Sequence, residues 1–282
     1  LLTLSILELR SGSLDAAERH LKALLASEQY RSDAYYYLGE LALIEELHNL
    51  AIDRFLRVDR GELIIEARKQ LASLALKNND SKQADRWFSE SRLLFPNFEL
   101  QLNIAEAQFR TANNRAGEAI PQLTEALSRD PESIEILYTR ALAFEQLDNI
   151  DAAEKDLRRI LELKPNDPDA LNALGYTLAD RTDRYDEALV LIKAALLQKP
   201  ESAAILDSMG WVLLKLGQLE SAESYLSKAW DKSRDHEIAA HYGELLWLLG
   251  RPEDAREIWR IGYESNPESD KIRRTMKRLT NS

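Results

Sequence analysis

The sequence predicts an all-α protein built as an array of paired antiparallel helices. Three observations carry that prediction. Pro96, Pro131, Pro165, Pro200 and Pro267 lie 35, 34, 35 and 67 residues apart, the last gap being two intervals of 33–34. A period of about 34 is the length of one helix–turn–helix unit of a solenoid. Apolar residues make up 45% of the 282 and charged residues 30%, with only 10 Gly and 8 Pro, which suits long amphipathic helices and leaves little for sheet. A small residue (Gly39, Ala72, Gly175, Gly210 or Gly243) also recurs at the same point of successive units, where two helices must approach closely.

Taken in order, residues 1–29 form a partial first unit that keeps Gly12, Ala17 and Leu21. In 30–63, Tyr35, Leu38-Gly39 and Ala42 belong to a first helix, and Ala51 and Phe55 to a second. Unit 64–97 carries Leu71-Ala72, Ala75, Ala84, Phe88 and Pro96; unit 98–132 carries Phe109, Ala119, Leu123, Ala126 and Pro131. Leu137, Ala141, Phe144, Ala153, Leu157 and Pro165 mark 133–166. Leu171, Leu174-Gly175, Leu178, Ala188, Ile192, Ala195 and Pro200 mark 167–201. Units 202–235 and 236–268 follow with Met209-Gly210, Leu213, Ala222, Leu226 and Ala229, then Tyr242-Gly243, Leu246, Ala255, Trp259 and Pro267. The tail, 269–282, reads as a capping helix made basic by Lys271, Arg273, Arg274, Lys277 and Arg278, cations that suit a helix C-terminus. Large apolar residues at helical spacing fill the space between units, and each proline stops a second helix, near Phe95, Asp130, Lys164 and Lys199. Asp130-Pro131-Glu132 and Asn166-Asp167-Pro168 read as helix starts.

This spacing is that of the tetratricopeptide repeat: Trp-x2-Leu-Gly-x2-Tyr, then Ala-x3-Phe, then Pro. The chain resembles that family over essentially its whole length. The resemblance implies a right-handed superhelix of about eight helix pairs plus a cap, with first helices on the concave face.

A formal net charge of −11 argues against nucleic acid, whose binding rests on clustered Lys and Arg. Cysteine is absent, which excludes disulfides and Cys-based zinc sites and is compatible with an oxidising compartment. The start, Leu1-Leu2-Thr3-Leu4, lies inside a helix without Met and reads as a piece of a longer protein whose signal or lipid anchor precedes it. No apolar run reaches the roughly 18–20 residues that span a bilayer. His20, His48, His236 and His241 read as ordinary polar residues, since the five-residue spacing of the last two is not a helical metal pair. Phosphate-binding, nucleophile-elbow and zinc-protease motifs are missing, so no catalytic residue, metal or cofactor is expected.

The expected activity is therefore protein binding. Groove-facing positions of the first helices gather Asn172, Tyr176, Asp207, Trp211, Lys215, Glu244 and Trp247 near the end of the chain. Trp211 and Trp247 exceed what the repeat needs there. They read either as partner anchors beside polar groups or as core against the neighbouring first helix. A chaperone-type carboxylate clamp is not expected, because Lys69 is followed by Ser73 and the next unit offers Ile104 where Asn or Arg is required.

Three segments, Leu171 to Arg181, Asp207 to Trp211 and Asp235 to Trp247, resemble a proteobacterial family of periplasmic tetratricopeptide lipoproteins that act as binding partners of a carboxyl-terminal processing protease. The resemblance implies an outer-membrane-anchored adaptor holding a serine protease together with substrates such as cell-wall hydrolases. The alternative is a structural or assembly scaffold of envelope or secretion machinery with no protease partner.

Overall fold

The computed structural model describes residues 1–267 and 269–280, and among these it contains seventeen α-helices and no strand. They follow as α1 (Leu2–Arg10), α2 (Leu14–Leu24), α3 (Arg31–Ile44), α4 (His48–Leu56), α5 (Leu63–Lys77), α6 (Ser81–Leu94), α7 (Glu99–Ala112) and α8 (Ala116–Arg129). Then come α9 (Ile134–Gln146), α10 (Ile150–Leu163), α11 (Pro168–Arg181), α12 (Tyr185–Gln198), α13 (Ala203–Lys215), α14 (Leu219–Lys232), α15 (His236–Leu248), α16 (Pro252–Ser265) and α17 (Asp270–Thr280). Odd and even helices pair as eight repeats, followed by α17. Second helices end at Leu94, Arg129, Leu163 and Gln198, one residue before the positions that the proline period predicts. Two compact units result, Leu1–Arg129 and Asp130–Ser282.

The small-against-large rule explains the pairing. A Cβ added at Gly39 would strike Phe55, at Gly175 Ile192, at Gly210 Leu226 and at Gly243 Trp259, each within 2.6 Å. Each struck residue is the large member of the Ala-x3-Phe pair in its own repeat. The hairpin turn repeats as well. Gly12, Glu46, Asn79, Asn114, Asp148, Gly217 and Gly250 all take positive φ between the two helices of a pair, a left-handed conformation that Gly, Asn and Asp adopt most cheaply.

Helix starts are partly as expected. Asp167 accepts from the backbone N–H of Asp169 and Ala170, with Pro168 in the first turn. Asp130-Pro131-Glu132 instead lies in the turn ahead of α9, which begins at Ile134 behind Ser133.

In the first unit, the buried Arg68 has no carboxylate partner among the described residues. Its guanidinium donates to Ser91 Oγ at 2.7 Å and to the Phe55 and Val58 carbonyls at 3.0 and 3.3 Å, and burial lowers it to about 10. Buried Glu106 takes the opposite solution, between Arg92 at 2.5 Å and Arg110 at 2.7 Å. In the second unit, first helices lie side by side, α11 on α13 and α13 on α15, while α17 covers α15. Ile272 of α17 is buried and would meet any side chain placed at Gly262. The tail is thus a packed cap, as the sequence leads one to expect.

Candidate partner-binding groove

Within the second unit, α9, α11, α13 and α15 together line a groove of about 590 Å³. Tyr138, Leu142 and Glu145 come from α9, Asn172 and Tyr176 from α11, Ala204 and Asp207 from α13, and Ile238 from α15. The helical rise and turn bring residues three or four apart onto one face, so each first helix offers two or three contacts.

Burial pushes the Glu145 carboxyl above its ordinary range, and Asp180 and Glu237 push the same way against Arg181 and Lys271. Burial likewise raises the Tyr138 phenol to about 12, helped by Asp169, Asp167 and Glu145, and raises Tyr176 well above its ordinary value. The groove is therefore aromatic and acidic, with one buried acceptor, Asn172 Oδ1, left without a hydrogen-bond partner among the described residues.

Of the seven residues singled out in the sequence, Asn172, Tyr176 and Asp207 line this groove. Trp211, Lys215, Glu244 and Trp247 lie outside its lining, and of the two readings left open for the tryptophans Trp211 takes that of core. Trp211 is 5% exposed, and its indole stacks on the His241 imidazole at 4.2 Å between ring centres. Lys215 Nζ covers the indole at 4.8 Å. Trp247 is half-buried and stacks on Trp259 at 5.9 Å, with Arg256 above it at 5.5 Å. Glu244 is buried and accepts from Arg278 of α17 at 2.5 Å. For Trp211 the reason is steric, since the next first helix, α15, lies close enough to cover its indole; Trp247 instead packs on α16, the second helix of its own repeat.

His241 corrects a second expectation. It is 2% exposed rather than an ordinary polar residue, and its Nδ1 lies 2.9 Å from a carboxylate oxygen of buried Asp207. The Tyr176 ring centre lies 5.9 Å from the imidazole. Lys271 lies over the Tyr176 ring at 4.8 Å and donates to its hydroxyl. A continuous series of contacts, Lys215–Trp211–His241–Tyr176–Lys271, thus ties α13, α15, α11 and α17 together beneath the groove. The available signal was spacing: Asp207 and His241 stand 34 residues apart, one repeat, so they face each other on adjacent first helices.

His241 Nε2 is buried and has no hydrogen-bond partner among the described residues. Among the described residues no group of three His, Cys, Asp or Glu converges as a metal site, and no helix is long and apolar enough to cross a membrane. The arrangement can grip a polypeptide segment.

Profiles of the tetratricopeptide repeat match residues 2–61, 110–175 and 181–241, together well over half of the chain. A TPR repeat-containing protein of Pseudomonas aeruginosa is 38% identical over 247 residues, which are 88% of this chain and 42% of that protein. The chain therefore spans less than half the length of that relative. Bacteriophage adsorption protein A of Escherichia coli is 30% identical over 107 residues, 38% of this chain and 11% of that protein. Among solved structures, a tetratricopeptide repeat protein from Parabacteroides merdae superposes with a TM-score of 0.62 at 17% identity, covering 99% of this chain and 97% of its own. A thermophilic TPR protein of Thermus thermophilus gives 0.57 at 22% identity, covering 65% and 100%. At these identities the solved structures show the fold alone.

Proposed function

The chain belongs to the tetratricopeptide-repeat family, and from that premise we propose that it is a periplasmic adaptor. It binds a carboxyl-terminal processing serine protease and brings cell-wall hydrolases to it, held at the outer membrane by a lipidated segment outside this sequence. The coarser function is that of a protein–protein interaction scaffold, which the repeats themselves supply. One observation carries the reading to a site: the groove in the second unit is lined by four consecutive first helices and keeps an unpartnered acceptor, Asn172 Oδ1, and a desolvated carboxylate, Glu145. Such a surface favours a partner segment rich in donors, gripped along its length by side chains on a rigid scaffold. The resemblance of 171–181, 207–211 and 235–247 to the protease-adaptor lipoproteins supports the finer assignment, because the same segments build the groove and the contacts beneath it.

The test is reconstitution. Purified processing protease and a cell-wall hydrolase substrate are incubated with and without the chain, and substrate loss is followed by gel. The adaptor reading expects substrate cleavage to speed up in proportion to added chain until it saturates. Unchanged cleavage, with no complex by size-exclusion chromatography, would reject the protease partner and leave a scaffold of another assembly.

A further inference from the structure

The outer side of the second unit carries a feature that the repeat does not require. On the second helices of this unit, the residues two and nine positions after the small alanine point to solvent. In α10, α14 and α16 these positions hold Lys155, Ser224 and Glu257, then Glu162, Asp231 and Glu264, all exposed. In α12 the same two positions hold Val190 and Leu197, 68% and 82% exposed. Three neighbouring repeats thus show what the fold asks for there, and α12 departs from it twice on one face.

The departure adjoins a groove of about 450 Å³ lined by Lys193, Leu196, Leu197, Pro200, Met209 and Tyr225. Its charge is also one-sided. Neighbouring cations are neutralised within the chain: Arg158 and Arg184 by Glu187, Lys199 by Asp169 and Lys232 by Glu201. Lys193, in the groove, has no ion pair among the described residues, and Lys228 lies over the Tyr225 ring at 5.9 Å, its charge felt by Glu201 but with no carboxylate at ion-pair distance among the described residues. In a chain of net charge −11, two unpaired lysines beside an exposed apolar stripe form a local positive rim.

We propose that the outer face of α12 with the α12–α14 groove is a second docking surface, distinct from the inner groove, and that its occupant is an amphipathic helix of a partner protein. The partner's apolar stripe covers Val190 and Leu197 and enters the groove beside Tyr225. Acidic residues bordering that stripe meet Lys193 and Lys228.

Two synthetic helical peptides test this, each with the same leucine stripe, one flanked by glutamates and one by lysines, titrated against the full chain by fluorescence anisotropy. The Glu-flanked peptide is expected to bind saturably, and the Lys-flanked one at least about tenfold more weakly. Leu197→Glu restores the residue type of the neighbouring repeats and should fold as the parent does, while weakening the Glu-flanked peptide by about tenfold or more. Lys193→Glu, a purely electrostatic change, should narrow or reverse the preference between the peptides. Equal binding of both peptides, binding untouched by Leu197→Glu, or no saturable binding would overturn the proposal. Self-association of the chain that Leu197→Glu abolishes would also overturn it, by making a second copy the occupant.

Discussion

Substituting Gly243 by alanine tests the packing rule on which the repeats are built. The new Cβ would stand 2.1 Å from Trp259 Nε1, 2.5 Å from Cδ1 and 2.6 Å from Cε2. Ordinary contacts begin near 3.4 Å, so the ring or the helix must yield by about an ångström. The indole has little room to do so: it is fully buried and stacks on Trp247. Overpacking of this kind costs about 1–3 kcal/mol. Alanine returns about 1 kcal/mol through its better helix propensity, leaving a net loss of up to about 2 kcal/mol. Thermal melts followed by circular dichroism and tryptophan fluorescence should show a lower midpoint, by roughly 2–4 °C for each kcal/mol. Gly117→Ala is the control, because a Cβ there meets nothing within 4 Å at an exposed position of α8. It should be neutral or gain up to about 1 kcal/mol. A Gly243→Ala midpoint at or above the parent's would refute the claim that α15 and α16 need glycine for their close approach.

Four further outcomes follow from the same geometry. Trp211→Ala removes a buried ring stacked on His241 and should cost about 3–5 kcal/mol in urea denaturation; a loss under about 1 kcal/mol would mean that the indole is not core. Asp207→Ala leaves His241 buried without its carboxylate and should cost about 1–3 kcal/mol, read the same way. Burial holds the Glu145 carboxyl above its ordinary 4.5, so the folded chain binds that proton more tightly than the unfolded chain does. The contribution is full below 4.5 and is lost as pH rises through the raised value, so Glu145→Gln should stabilise at neutral pH and converge with the parent in acid. Equal stabilities at neutral pH would contradict that sign. Glu46→Gly relieves a left-handed residue at φ 60° and should stabilise by about 0.5–1 kcal/mol, measured by melting.

The repeat geometry was legible because its determinants are local. The small residue of one helix and the large residue of the next lie a hairpin apart, as Gly210 and Leu226 do, and proline closes each unit. The left-handed turn residue was less legible, because Glu46 occupies one of its places and breaks an otherwise regular Gly, Asn and Asp series. The candidate site was legible only in part. Periodicity placed Asn172, Tyr176 and Asp207 on the groove. For Trp211 it offered the neighbouring first helix as one of two covers, and His241 of that helix is the one found, but it could not foresee the cover of Glu244, which is Arg278 from the cap. The Lys271–Tyr176 hydrogen bond spans 95 residues, beyond any local pattern.

The central claim is that the inner groove of the second unit receives a protein partner. Leu142 and Ala204 line that groove and are exposed, so Leu142→Glu with Ala204→Glu should block it without disturbing the core. The direct measurement is calorimetric titration of the purified processing protease, and of its hydrolase substrate, into the parent and into the double variant. The account predicts that at least one of the two binds the parent and loses about tenfold or more in affinity to the variant, with matching melting curves. Equal affinity of both proteins for the parent and for a well-folded variant would contradict it.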